Sequence, residues 1–298
     1  MINSLLNERA FDDHAVDLPF KDTSLSLLKP STGKITMLIF IIPVKSKLAS
    51  NSWATVSSLF ERTLRSVCNQ TSPNFRVIVV CHEKPFISFE HESVKYITVD
   101  FPPPDLIGDP TENRTRKQTD RAKKLWLGLV YAESLNPSHI MFVDSDDCIS
   151  RRLAAHVDEN SQNNGWYISR GFEYPSKGEI VYPKSKFYTK CGTSNIIRYD
   201  LLQPLLETHL DRVRAQNGAL YRRHQHQGKY FANAGNPLLP LPFQGAIYVT
   251  EHGDNIFLEY FSKKQKTLLD LVRLYGGKLR KRLVARPITK ELRDEFGL

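Results

Sequence analysis

The chain has 298 residues, 41% of them hydrophobic and 24% charged, with 15 Gly and 17 Pro, the balance of a globular protein able to bury a large core. Its longest apolar stretch, Met37 to Val44, is far short of the roughly 18 to 20 residues that a membrane span needs, and the acidic, mixed first residues do not read as a signal peptide. The net charge of +9 sits at one end: from Ser262 to Leu298 eleven Lys or Arg stand against four acids, a net of +7, so no nucleic-acid partner is expected of the body.

Along the chain, residues 1 to 33 read as an irregular polar extension. Met37 to Val44 is a first buried strand, closed by Pro43, which cannot donate to a ladder. From Trp53 to Cys68, Val56, Leu59, Phe60, Leu64 and Val67 fall at helical spacing. The turn-rich Asn69 to Asn74 leads to a second strand from Phe75 to Val80, and Val94 to Val99 makes a third, halted by Phe101-Pro102-Pro103-Pro104. A polar stretch from Asp105 to Thr119 precedes a helix expected over Asp120 to Ser134. Then comes His139-Ile140-Met141-Phe142-Val143, which runs directly into Asp144-Ser145-Asp146-Asp147. Strands alternating with helices predict βαβ units and a parallel sheet. After Asp147 the pattern turns mixed: short strands over Gly165–Ser169, Ile180–Tyr182 and Phe187–Tyr188, a largely helical Leu201–Leu220, and a strand over Gly245–Thr250. Four widely spaced cysteines, Cys68, Cys81, Cys148 and Cys191, form neither a zinc pattern nor a disulfide framework, and a reducing, cytoplasmic setting is expected.

The acidic strand carries the chemistry. Ligands of open α/β sheets gather at the carboxyl ends of the strands, where Asp144, Asp146 and Asp147 would emerge. Carboxylates this close repel one another unless a cation joins them, and oxygen donors suit Mg²⁺ or Mn²⁺. The bland alternative is a solvated acidic turn.

The segment Ser66-Val67-Cys68-Asn69-Gln70-Thr71-Ser72-Pro73-Asn74-Phe75-Arg76-Val77-Ile78-Val79-Val80 closely resembles the helix-turn-strand of family-2-like glycosyltransferases. Ile42-Pro43-Val44 is similar to their first-strand ending, and Asp144-Ser145-Asp146-Asp147 looks like their metal-binding Asp-x-Asp. Asp100 to Pro103, Gly165 to Ile168 and Cys191 to Ser194 also resemble a bacterial glycosyltransferase-like group. The resemblance implies an α/β, GT-A fold with a Rossmann-like nucleotide-binding half, a mixed sheet and an acceptor-side half. It implies transfer of a sugar, with inversion expected, from a nucleotide-sugar donor (a UDP-sugar favoured) to a glycan, lipid-linked or other acceptor hydroxyl. The halves would span 34–148 and 149–257, with a basic helical tail over 258–298.

By that resemblance Asp146 is the direct metal ligand, with Asp144 at the ribose or a metal-bound water, and His252 completes the shell. Asp147 is either a second ligand or the cap of a helix begun near Ser150. Pro43, Val44 and Ser145 are expected at the nucleotide. Where the family usually carries Asp-Asp-Gly-Ser after the second strand, this chain has Cys81-His82-Glu83-Lys84, so Glu83, or else His82, would read the nucleobase. Asp120, Arg121, Lys123 and Lys124 open the helix that carries basic groups toward the diphosphate. Lys123 and Lys124 lie on adjacent faces, so at most one of the two points inward, and Asp120 is alternatively the helix N-cap. Gly192 permits close backbone approach, and Thr193 and Ser194 offer hydroxyls to sugar or phosphate. The general base that inverting transfer needs is sought among Glu207, Asp211, His224 and His226, with His224 preferred. The basic, partly apolar tail is suited to peripheral contact with the inner face of an anionic membrane, or equally to packing as a helix with a solvated face. The rival readings are an inactive scaffold of the same fold and, more remotely, a nucleic-acid-binding protein.

Overall fold

The computed structural model describes residues 36–176, 178–206, 224–251 and 283–298. β1 (Leu38–Pro43) is buried along its whole length, because both faces of the sheet are covered. It pairs in parallel with β2 (Phe75–Cys81) on one side and with β4 (His139–Phe142) on the other, and β3 (Val94–Thr98) extends the parallel run beyond β2. Alternate residues of β1 divide between two cores. Leu38, Phe40 and Ile42 pack with Val56, Phe60 and Leu64 of α1 (Trp53–Cys68), and Ile39 and Ile41 pack with Leu125 and Leu129 of α2 (Pro110–Glu133). α1 begins where Ser52 accepts the Thr55 N–H at 3.2 Å.

The second half adds β5 (Cys148–Ile149), α3 (Leu153–Glu159), β6 (Gly165–Tyr167), β7 (Arg170–Pro175), β8 (Ile180–Ser185), β9 (Asn195–Arg198), α4 (His224–Asn233), β10 (Leu239–Pro240), β11 (Ala246–Thr250), β12 (Arg286–Pro287) and α5 (Lys290–Phe296). β9 runs antiparallel to both β4 and β6, which gives a seven-stranded sheet in the order β10-β6-β9-β4-β1-β2-β3. A second sheet follows the order β12-β8-β7-β11-β5. The fold is α/β: a parallel Rossmann-like half continued by a mixed half, the layout expected of the chain.

α5 is stitched to the first half from the far end of the chain. Phe296 is buried against Phe172, ring centres 5.9 Å apart, and its carbonyl accepts the Ser66 hydroxyl at 2.6 Å. The same hydroxyl oxygen accepts the Ile149 N–H at 2.9 Å. Glu295 accepts from Ser150 Oγ and, at 2.8 Å, from Arg152 Nε.

Three expectations change. α2 starts at Pro110 with Asp109 as its cap, accepting the Thr111 and Glu112 N–H groups at 2.6 and 3.0 Å, so Asp120 is two to three turns inside the helix and caps nothing. The polar run before Asp120 has no apolar periodicity, which hid a helix that was nevertheless announced by Asp-Pro. Phe187–Thr189 is a 3₁₀ turn rather than a strand. Tyr199–Leu201 and Gln203–Leu205 are 3₁₀ turns, and the rest of the helix expected up to Leu220 lies outside the described residues, as do the extension 1–33 and the tail as far as 282. All four cysteines are free thiols. Among the described residues no helix is long and apolar enough to cross a membrane.

The amino end of β4 carries a pH prediction. His139 is wholly buried, its ring nitrogens 3.2 Å from Ser138 Oγ and 3.0 Å from the Asn163 carbonyl, and burial brings its pKa down to about 4. The unfolded chain therefore takes up this proton below the ordinary histidine value near 6.5, where the folded chain does not. The associated stability is complete above that value and falls as the pH drops toward 4, by about 3 kcal/mol over the whole window. Urea unfolding of wild type and His139→Gln across this range should show a shallower acid loss in the variant. Identical profiles would contradict the assignment.

Candidate functional site

The site forms where pairing around β4 switches from parallel to antiparallel. Val143 continues the alignment with β1, its N–H donating to the Ile41 carbonyl at 3.0 Å, and the chain then turns at Asp144–Asp147. β9 lies antiparallel on the other flank, so the loop before it, Cys191–Ser194, arrives at that turn. A crevice at the carboxyl edge beside such a switch is where α/β sheets take their ligands.

Asp144 is held from three sides. Arg121, on α2, donates to Asp144 Oδ1 through Nε at 2.8 Å and approaches it through Nη2 at 2.6 Å, both side chains about one quarter exposed. The Asp144 N–H donates to Thr193 Oγ1 at 2.9 Å. Gly192 closes the third side: a Cβ there would stand 2.4 Å from Asp144 Oδ2 and 3.0 Å from Arg121 Nη2. Sequence alone placed Arg121 only among the basic residues of a helix. Its pairing with Asp144 depends on which face of α2 meets the sheet, for which the polar half of that helix gives no pattern.

Asp147 is neither at the edge nor on a helix cap. It is fully buried, accepting the Thr193 hydroxyl at 2.6 Å and the Cys191 thiol at 3.0 Å on one oxygen and the Val249 N–H at 3.2 Å on the other. Burial, reinforced by Asp146 and Asp144, pushes its pKa well above the usual carboxylate range. It ties the acidic turn to β11 and to the Cys191 loop. α3, which it was expected to cap, starts at Arg152 with no side-chain cap bond. Thr193 and Ser194 are fully buried too, with Thr193 bridging Asp144 and Asp147 and Ser194 accepting from Asn195 Nδ2 at 3.1 Å. Their hydroxyls shape the site from beneath rather than offering contacts to a sugar.

On the neighbouring strands, Pro43 and Val44 are buried, and the inward lysine is Lys124 rather than Lys123. Lys124 has no exposed surface. Its Nζ donates to the Val44 carbonyl and to Asp120 Oδ2, both at 2.8 Å, while Lys123 Nζ lies 5.4 Å from the centre of the Phe101 ring. His82, its side chain 7% exposed, lies 3.7 Å from Asp120 Oδ1 and 3.1 Å from the Phe101 carbonyl through Nε2. Burial first, then the Lys124 charge, holds its pKa below the ordinary histidine value. Glu83 accepts the Lys47 N–H and so joins the loops that follow β2 and β1.

His224 opens α4, its carbonyl accepting from Asn195 Nδ2 at 3.3 Å. Burial lowers its pKa to about 4, the Asp144 carboxylate opposing and the Arg121 guanidinium adding to that shift, so the imidazole belongs to the Asp144 neighbourhood and is neutral at pH 7. Its Nε2 is buried without a hydrogen-bond partner among the described residues. Glu207, Asp211 and His252 lie outside the described residues, and Ser145 and Asp146 are part-exposed on the acidic turn.

Two carboxylates two residues apart on one turn, Asp144 and Asp146, are hard oxygen donors of the kind Mg²⁺ or Mn²⁺ takes when substrate phosphates complete its shell. Asp147 is withdrawn from that role by its burial, and among the described residues no three His, Cys, Asp or Glu side chains are grouped to hold a metal unaided. The turn thus fits a cation held jointly by protein and ligand.

No protein-family model and no curated protein matches the chain. Among solved structures it is similar to S. aureus TarS 1–349 (16% identity, TM-score 0.41, covering 72% of this chain and 60% of that one). It is also similar to the same TarS segment in complex with UDP-GlcNAc (15%, TM-score 0.45, 78% and 62%). A third likeness is to 4-diphosphocytidyl-2C-methyl-D-erythritol synthase from Anaerococcus prevotii DSM 20548 (11%, TM-score 0.38, 80% and 96%). The chain therefore spans about 60% of the length of the TarS chains it matches.

Proposed function

We propose that the chain is a glycosyltransferase of the family-2-like type, moving a sugar from a nucleotide-sugar donor, a UDP-sugar by preference, to a glycan, lipid-linked or other acceptor hydroxyl, with inversion. The observation that carries this reading is the acidic turn at the carboxyl edge, with Asp144 oriented by Arg121, Gly192 and Thr193, joined to the Asn69-Gln70-Thr71 segment that resembles those enzymes. Asp146, with Asp144, would hold Mn²⁺ or Mg²⁺ alongside the donor diphosphate, and His252 is the further ligand proposed. Such a cation supplies Lewis-acid stabilisation of the nucleoside diphosphate as it leaves.

The chain's own groups set up the rest. Arg121 fixes the Asp144 carboxylate and brings a guanidinium to the side of the site where phosphate charge would lie. Lys124 and Asp120 brace the end of β1 beneath it. His224, neutral at pH 7, would accept the acceptor hydroxyl proton, the adjacent Asp144 favouring the imidazolium that forms. Peripheral contact of the basic tail with a membrane would suit a lipid-linked acceptor.

Titration calorimetry of UDP and of GDP, with and without Mn²⁺, on wild type and Asp146→Ala tests the reading. UDP should bind with Mn²⁺ present, and the variant should lose about tenfold to a hundredfold in affinity. If neither nucleotide binds in the presence of metal, the transferase reading fails.

A further inference from the structure

A cleft of about 490 Å³ opens at the other edge of the parallel sheet, among the last turn of α1, the connector between β2 and β3, the start of α3, and α5. Asn69, on its wall, leads through the turn into the amino end of β2, whereas Asp144 follows the carboxyl end of β4. The two sites are therefore on opposite edges.

Donors dominate the lining. Arg65, Arg151 and Arg293 contribute three guanidinium groups and His91 an imidazole, against one carboxylate, Asp294. Arg65 packs over the face of Phe89, 4.7 Å from its centre, and Phe89 stacks on His91 with centroids 6.3 Å apart. This stacking fixes the Arg65 side chain in a plane. The Ser93 N–H donates to His91 Nδ1 at 3.1 Å, which leaves the imidazole proton on Nε2 as a further donor. Arg65 is shared with Glu61 at 2.8 Å, and Arg293 with Glu179. Among the described residues nothing accepts a hydrogen bond from the Arg151 side chain, although its backbone is tied down by Glu295 and Thr71. Glu61, Glu179 and Asp294 balance the three guanidinium charges, so what the cleft offers an anion is a set of N–H donors placed by packing and backbone bonds, Arg151 foremost, in a volume within the range of small-molecule sites.

We propose that this cleft is a second binding site, distinct from the donor site, that takes the phosphate group of a small phosphorylated molecule. Guanidinium groups pair with phosphate oxygens in forked geometry, and the space exceeds what an inorganic anion alone fills.

Calorimetry in EDTA, with inorganic pyrophosphate and with glucose 1-phosphate as probes, tests the site on wild type, Arg151→Ala, Arg65→Ala and Arg121→Ala. Both cleft variants should weaken binding about tenfold or more, Arg121→Ala should leave it unchanged, and added salt should weaken it in wild type. Tighter binding of the sugar phosphate than of pyrophosphate would mark a carried phosphate as the ligand. A free anion is indicated if the inorganic probe binds as well, which would overturn the organic part of the proposal. Absence of millimolar binding by either probe, or binding lost only in Arg121→Ala, overturns the site altogether. Neither result bears on the nucleotide titrations, so this proposal and the transferase reading fail separately.

Discussion

Gly192→Ala is expected to leave the protein folded and to weaken Mn²⁺-dependent nucleotide binding, and any transfer, about a hundredfold. The added methyl would sit 2.4 Å from Asp144 Oδ2, well inside contact distance, with Arg121 Nη2 at 3.0 Å behind it. Asp144 is the part that must yield. Its side chain is short and its backbone N–H is held by Thr193, so relief comes by turning the carboxylate out of its bond with Arg121. A displacement of about an ångström in a positioning group is enough for a loss of that order. The fold has less at stake, because Gly192 itself is partly exposed although its neighbours Cys191 and Thr193 are buried. The informative comparison is the melting temperature beside the UDP titration. A variant that melts like wild type but binds poorly bears out the geometry, and one that binds like wild type shows that the Asp144 position is not needed.

Phe296→Ala should cost about 3–5 kcal/mol of unfolding free energy, the usual loss for a phenylalanine removed from a packed core. The ring is buried in the cluster of Leu59, Cys148, Phe172 and Val249, so the vacated volume borders both α1 and the second sheet. The damage is not limited to the cavity. Phe296 also presents its carbonyl to Ser66, and Gly297, in the left-handed conformation, ends α5 so close to Ser66 that a Cβ would be 2.9 Å from the serine Cα. Loosening the ring therefore frees the last turn of the helix. Urea denaturation of Phe296→Ala against Leu283→Ala, whose side chain is 80% exposed, separates core loss from any general effect of removing a hydrophobe. Equal midpoints would show that α5 is a passive appendage.

Those two sites differ in how far they could be read from residues alone. The parallel half was legible because β1, β2 and β4 carry nearly continuous apolar runs and α1 keeps its helical spacing. The acidic turn was legible as a candidate because three carboxylates follow a buried strand. What escaped was everything set by the meeting of distant segments. Asp147 looks like Asp144 and Asp146 in sequence, yet the approach of β11 and the Cys191 loop buries it and turns it into a structural tie. Lys124 rather than Lys123 faces inward because it stands one turn before Gly128, on the face that Leu125 and Leu129 press against the sheet, and a lysine on such a face gives no apolar signal of its own. Thr193 and Ser194 are small hydroxyls beside a glycine, and such groups serve equally well as ligand contacts or as internal braces. α5 gave no sign that it would close over Ser66, since its single buried ring says nothing of its partner.

The alignment of Leu38 with both Phe75 and His139 also governs how the chain reaches this state. The central strand finds its first neighbour after one helix, but its second only about a hundred residues further on, and β9 must then slot in beyond it. Each such closure gives up chain entropy before any ladder bond repays it, and proteins dominated by distant pairings fold in milliseconds to seconds rather than microseconds. During that interval the outer edge of β4 is an open, largely apolar strand, the kind of surface on which chains stick to one another. Arrival of the β9 segment is thus the event that ends the exposure. Substitutions in Asn195–Arg198 would act first on the yield of refolding and only afterwards on the stability of what has folded.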